Sequence, residues 1–179
     1  MVIKLSKFFG YALFFLLALM YFTPKVSLYY LLESKLNERS VIVDKETVID
    51  NGVSLSIQNA SVNVKSIESA KIEDINVKVF GIYNKVTLEN IELASVAATM
   101  LPTDVQSVDI TYTIFNPLYV KAEAIGGFGE AEVSFSILDM ALHVDLKPSK
   151  KMLTSYKQTL RNLKKSKEGD YSYDKIIKL

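Results

Sequence analysis

Apolar and polar residues alternate through most of the chain between residues 40 and 147. The most regular runs are residues 108–114, 118–124, 131–137 and 140–146, and turn residues separate them. An alternation of period two puts all the apolar side chains of a strand on one face of a sheet. Successive strands joined by short turns pair with their neighbours along the chain. The pattern therefore predicts a mainly β domain over residues 40–147, built as an antiparallel meander.

Shorter runs of the same kind precede this region. Residues 53–57 and 60–64 each alternate, and a break at Gln58-Asn59 lies between them, which predicts two short strands. Residues 86–88 and residues 91–93 alternate in the same way and predict another two short strands.

Residues 8–24 carry no charged side chain and lie between Lys7 and Lys25. As a helix this run is roughly 25 Å long, at the short end of what crosses a hydrocarbon core of about 30 Å. A cleaved secretory signal peptide is the main alternative, because a basic start followed by an apolar run is common to both. A cleavage site needs a pair of small residues just before the cut, and residues 19–24 contain none in the required places. We therefore expect a transmembrane helix as an uncleaved anchor over residues 1–25.

Leucines follow Pro24 at a helical spacing, which predicts a juxtamembrane helix over residues 26–38; they are Leu28, Leu31, Leu32 and Leu36. The segment before the apolar run is short and basic, which favours an amino terminus inside and the remaining chain outside the membrane.

The charge of the chain is divided between an acidic body and a basic end. Residues 26–146 contain 8 Lys and Arg against 17 Asp and Glu, whereas residues 147–179 contain 10 against 3. Ser149 is a plausible N-cap for a basic amphipathic helix reaching about Lys165, within a terminal region of residues 148–179. Such a helix either lies on anionic lipid or packs its narrow apolar stripe on the end of the sheet. Residues 171–177 either add an edge strand or remain loose.

The apolar face of the meander is the candidate functional surface. It either packs against another layer of protein as a closed core or shelters acyl chains, and alternation alone does not distinguish the two. Its candidate residues are Val108, Ile110, Tyr112, Ile114, Val120, Val133, Phe135, Leu142 and Val144.

Gly126, Gly127 and Gly129 form a glycine-rich stretch between two predicted strands. A phosphate-binding glycine loop joins a strand to a helix, so this context does not fit one. Glycines relieve crowding where strands turn or bend. We expect these three residues to form a turn, a bulge or a corner that makes the antiparallel sheet curved.

The residue types argue against an enzyme or a metalloprotein. The chain has no cysteine and one histidine, which excludes a zinc site of the usual composition. His143 and Asp145 share one face of a strand, as do Glu130 and Glu132, and each pair invites an acid–base role. Charged pairs on a solvated strand face are far more common, and neither pair has a nucleophile or cleft motif beside it. We expect no cofactor, no metal, no catalytic residue and, given the acidic body, no nucleic acid.

Several stretches together resemble one family. The anchor ends in Tyr21-Phe22-Thr23-Pro24, a leucine-rich helix follows, and the glycine corner leads into residues 131–135, AEVSF. The likeness continues through residues 146–149, LKPS, and the helix that ends near Gly169. This arrangement looks like the bacterial type II secretion system protein N family, which is similar in style to the AsmA-like envelope proteins.

The resemblance implies a single-pass protein of the bacterial inner membrane with a periplasmic, non-enzymatic β domain. It implies a role in a secretion or envelope-assembly complex, with other envelope proteins as partners. The AsmA-like likeness adds an alternative role, in which the apolar face of a curved sheet binds or transfers phospholipid.

Overall fold

A computed structural model of the chain describes residues 2–166 and 169–177, with the helical backbone alone for residues 2–5. Two helices come first, α1 (Val2–Phe22) and α2 (Lys25–Glu38). Nine strands follow: β1 (Val41–Asp44), β2 (Thr47–Asp50), β3 (Ser54–Val64), β4 (Ile67–Val79), β5 (Tyr83–Leu93), β6 (Asp104–Thr113), β7 (Tyr119–Gly126), β8 (Gly129–Ser136) and β9 (Ala141–Pro148). The chain then forms α3 (Lys150–Ser155), α4 (Lys157–Arg161), β10 (Lys164–Lys165) and β11 (Tyr171–Ile176).

The strands form a single antiparallel sheet of 11 strands, so the predicted mainly β, antiparallel architecture is confirmed. From β3 to β9 each strand pairs with the next one along the chain, as a meander does. Strands β1 and β2 both pair with β3, and β11 pairs with β9 on one side and β10 on the other. The terminal strand β11 thus extends the sheet.

In four neighbouring strands the apolar face switches between odd-numbered and even-numbered positions. The switch occurs at the same height in each strand. In β3, Ile57 and Ala60 both belong to the core, although an unbroken alternation would point them to opposite faces. The same shift occurs in β4, β5 and β6, and we call the residues at this level the phase-shift row: Asn59, Glu73, Asn90 and Gln106.

Left-handed backbone explains how the strands stay continuous through the phase-shift row. Asn59 has φ 56° and Asn90 has φ 53°. A residue in this region adds one position to a strand locally, and asparagine tolerates it better than most residues. Because neighbouring strands shift at the same level, their pairing resumes on the other side. The expectation of separate short strands at residues 53–57 and 60–64 is therefore wrong, and so is that for residues 86–88 and 91–93.

The larger core cluster lies on the apolar face under α2. Leu55 and Ile57 are each 2% exposed, and Val26 and Tyr29 of α2 pack against this cluster. The Tyr29 hydroxyl donates a hydrogen bond of 3.2 Å to Glu46, and burial, with the nearby Glu46 charge, raises the pKa of this phenol. The leucines of α2 that sequence periodicity singled out are mostly exposed: Leu28, Leu31 and Leu32.

A second, smaller cluster lies on the same face of the sheet, toward β9, where α3 and α4 cover it. Leu146 of β9 packs with Met152 and Leu160, and all three are buried. Ser149 caps α3 by accepting a hydrogen bond of 3.1 Å from the Met152 amide, which confirms the predicted N-cap.

The predicted continuous helix to about Lys165 is wrong, because the chain leaves helical geometry at Tyr156, with φ −119° and ψ 35°. The Thr154 hydroxyl donates back to the Lys150 carbonyl at 3.0 Å, a contact that competes with regular helical bonding. The Thr159 hydroxyl donates to the Met100 carbonyl in the loop before β6, which holds α4 in its own direction.

The amino-terminal helices meet at a bend of 53°. Among the residues described with side chains, neither helix alone is long and apolar enough to cross a membrane; α1 from Ser6 onward and α2 meet those limits only as a bent pair.

Candidate functional site

The candidate apolar residues share one face of the sheet, and the strand register aligns them in rows. One row runs across β5 to β9 through Val86, Ile110, Ala122, Val133 and Val144. The next row toward the β6–β7 turn runs through Tyr112, Val120, Phe135 and Leu142. Chain positions far apart in sequence thus form one continuous surface.

This surface is only partly buried. We define the open apolar patch as the half-buried side chains that β6 to β9 contribute to these two rows, none of which joins a core cluster: Ile110, Tyr112, Val120, Ala122, Val133, Phe135, Leu142 and Val144. The same face is sealed on both sides of the patch, by α2 over Leu55 and by α3 and α4 over Leu146. Across β6 to β9 the patch is about 14 Å wide, given a strand spacing of about 4.8 Å.

Two of the nine predicted residues lie outside the patch. Val108 packs against the larger core cluster, and Ile114 follows the end of β6 in the β6–β7 turn, where it is 50% exposed. Sequence analysis missed Ala122 and Val86, which share the Ile110 row. Their alternation is visible in the sequence, but only the register of β7 and β5 against β6 shows that they extend the same surface.

The three glycines lie at the β7–β8 turn, beside the ends of β6 and β9. The Gly127 amide donates to the Asp104 carbonyl at 2.9 Å, and a methyl group on Gly126 would lie 2.7 Å from the same oxygen. Gly129 has φ 116°, and a methyl group there would collide with the Lys147 carbonyl oxygen. The structure therefore gives these glycines a role in the close approach of neighbouring backbones.

His143 lies on the opposite, polar face between two carboxylates. Its Nδ1 is 2.5 Å from Asp174 Oδ1 and its Nε2 is 2.9 Å from Asp145 Oδ2. The hydrogen bond to Asp174, reinforced by Asp145, raises the pKa of the imidazole. Asp174 was missed by sequence analysis, because its contact depends on the pairing of β11 with β9. The arrangement suits an ion pair that ties these two strands together.

The other acid pair, Glu130 and Glu132, lies on the same polar face as His143. Glu130 and Glu132 line the same shallow cavity of about 260 Å³ as His143 and Asp145, and both glutamates are exposed. In the described part of the chain, no group of three or more His, Cys, Asp or Glu side chains is placed to hold a metal ion.

The chain matches no protein-family model, no curated protein and no solved structure.

Proposed function

We propose that this chain is a membrane-anchored, non-enzymatic envelope protein whose sheet shelters acyl chains on the open apolar patch. One observation carries the proposal: helices cover the same face over Leu55 and over Leu146, and the side chains between these two covered regions are only partly buried. Contiguous apolar surface that the fold leaves accessible is typical of interaction sites. Each methylene group buried on it is worth about 0.8 kcal/mol, so part of one acyl chain suffices for binding.

The anchor belongs to the same proposal. The α1 backbone is helical over Val2–Phe22, 21 residues, or about 32 Å at about 1.5 Å per residue. The uncharged part of α1, residues 8–22, is about 22 Å long, at the short end for a hydrocarbon core of about 30 Å. Its side chains from Phe8 to Phe22 are mostly exposed and apolar, as they would be against lipid. With the amino terminus inside, the sheet lies in the bacterial periplasm, as the resemblance to AsmA-like proteins implies.

Site-specific photocrosslinking tests acyl-chain binding. The probe is benzoylphenylalanine at Val133, within the patch, and the matched control is the same probe at Ser134, one residue along β8 on the polar face. The full chain is reconstituted in vesicles of phosphatidylethanolamine and phosphatidylglycerol with deuterated acyl chains. We expect lipid adducts from position 133 alone; equal yields at the two positions, or none at 133, would overturn the proposal.

A second candidate, a structural component of a secretion or envelope-assembly complex, is favoured by the free edge of β11. Strand β10 pairs only with Tyr171 and Ser172, so residues 173–176 have no strand beside them on that side within the described part of the chain. Such an edge accepts a strand from another protein by β-augmentation. Benzoylphenylalanine at Tyr173 then gives a protein adduct in native membranes. A protein adduct at Val133 in place of lipid would favour this candidate over the first.

A further inference from the structure

One end of the sheet carries a row of exposed apolar side chains. The β4–β5, β6–β7 and β8–β9 turns all lie at this end, together with the end of β11. We call the following residues the apolar tip row: Ile82, Ile114, Phe115, Leu118, Ile137, Leu138 and Ile176. Phe115 is 84% exposed and Leu138 73%. Apolar residues this exposed are unusual in turns, which normally present polar groups to water.

Backbone hydrogen bonds join these turns side by side. The Ile114 amide donates to the Ile82 carbonyl at 3.1 Å, and the Ile137 amide donates to the Leu118 carbonyl at 2.8 Å. The sheet pairing thus continues into the turns and keeps them at one level. Residues 80–82, 114–118 and 137–140 contain one charged side chain, Asp139, and it accepts a hydrogen bond of 2.8 Å from Ser136.

Helix α1 leaves the sheet at this same end. Gly52, in the β2–β3 turn, packs against the Tyr21 ring near the end of α1; a methyl group on Gly52 would lie 2.7 Å from Tyr21 Cε2. Strand β3 starts beside the end of β4, so the β2–β3 turn lies at the same end as the tip row. Phe8, Phe14 and Phe22 along α1 are 66%, 72% and 78% exposed, so the helix stands clear of the sheet.

Lysines lie a short distance behind the tip row on the polar face. Lys78 pairs across strands with Lys85, and Thr111 separates Lys85 from Lys121 in the same row. Lys85 forms an ion pair of 2.9 Å with Asp109, whereas Lys78 and Lys121 have no carboxylate partner among the described residues. Lys78 precedes the β4–β5 turn by two residues, about 7 Å of extended strand. When the apolar tip row reaches the boundary between headgroups and acyl chains, this offset places the lysine ammonium groups at the level of the lipid phosphates.

We infer that the apolar tip row dips into the interface of the bilayer that holds α1, with the lysines behind it facing anionic headgroups. The inference rests on the proposed anchor and adds the end-on orientation of the sheet against the membrane. It also gives the open apolar patch a route for acyl chains, because Tyr112, Val120 and Leu142 lie close behind the tips.

The absence of tryptophan from the chain makes a direct test possible. Single tryptophans replace Phe115 in the tip row, Val96 at the opposite end of the sheet and Phe14 in α1. Val96 is a matched control, because it is 73% exposed and lies in the loop after β5. Each full-length variant is reconstituted in phosphatidylcholine and phosphatidylglycerol vesicles, and tryptophan emission is measured with and without brominated acyl chains. Bromine near the headgroup tests positions 115 and 96, and bromine near the end of the acyl chain tests position 14.

We expect bromine to quench Phe115→Trp and leave Val96→Trp unquenched, with a blue-shifted emission for Phe115→Trp and not for Val96→Trp. Quenching of Phe14→Trp without Phe115→Trp would overturn the inference while the anchor stands. Equal quenching of Phe115→Trp and Val96→Trp would overturn the end-on orientation. If Phe14→Trp is unquenched, the proposed anchor fails, and the inference fails with it. Far-UV circular dichroism of each variant verifies that the sheet is intact.

Discussion

The Lys25 ammonium donates a hydrogen bond of 3.0 Å to the carbonyl oxygen of Met20, five residues back in α1. It also donates to the Thr23 carbonyl at 3.2 Å, and Lys25 is only 3% exposed. The last carbonyls of a helix have no partner within the helix, and a positive charge there interacts favourably with the helix dipole. A residue that sequence analysis treats as a flanking charge therefore closes α1 and sets the junction with α2.

Replacing Lys25 with methionine keeps an unbranched side chain as far as the ε carbon and removes the ammonium. We expect Lys25→Met to lower the free energy of unfolding by about 1.5–3 kcal/mol, the usual range for hydrogen bonds to a charged group. Denaturant unfolding of the full chain in detergent measures it. Lys35→Met is the control, because Lys35 is exposed and forms a surface ion pair with Glu38, so its replacement should cost less than about 1 kcal/mol. Equal losses in the two variants would contradict a capping role.

A methyl group at Gly129 would collide with a neighbouring strand and would also strain the backbone. Gly129 has φ 116° and the Lys147 carbonyl lies in the space a Cβ would fill. We expect Gly129→Ala to destabilise the fold by about 3 kcal/mol or more, beyond the 1–3 kcal/mol of backbone strain alone. Gly81→Ala separates the two effects, since Gly81 has φ 71° and nothing within 4 Å of an added Cβ. Thermal unfolding followed by circular dichroism should give a clearly lower Tm for Gly129→Ala than for Gly81→Ala.

The meander of β6 to β9 was predictable because the alternation within its strands and the turns between them are local patterns. The alternation in residues 108–146 and the turn at Asn116-Pro117 were enough to indicate a meander, since hairpins pair adjacent strands. The continuity of β3 was not predictable in the same way. Asn59 looks like a strand break in the sequence, and only the matching shift at Asn90, two strands away, shows that the sheet absorbs the extra residue.

The local sequence pattern could not predict which parts of the apolar face are covered by helices and which stay open. Leu55 and Val133 alternate in the same manner, yet Leu55 is buried under α2 and Val133 is only partly buried. Beyond the break at Tyr156, the Thr159 hydroxyl of α4 likewise donates to the Met100 carbonyl, far away in the chain. Burial by a second layer and long-range contacts are properties of the assembled fold, so the sequence alone leaves them open.

Asn59 allows a test of the phase-shift row at an exposed position. Asn59 has φ 56°, and a side chain other than glycine or asparagine costs about 1–2 kcal/mol in that left-handed region. We expect Asn59→Val to lose about that free energy of unfolding, whereas Asn59→Gly should be close to neutral. Denaturant unfolding compares the variants. If Asn59→Val proves as stable as Asn59→Gly, the left-handed conformation at this position is not required by the sheet.

The ion pair at His143 makes the stability of the sheet depend on pH in a defined direction. The hydrogen bond to Asp174 raises the folded-state pKa of His143 above its ordinary value of 6.5. The protonated imidazole therefore stabilises the fold fully below pH 6.5, and the contribution is lost as pH rises through the raised pKa. We expect the difference in Tm between the wild type and His143→Asn to shrink across that window. Asp174→Asn should flatten the dependence as well, because it removes the strongest partner of the imidazole, and an unchanged slope in Asp174→Asn would contradict this assignment.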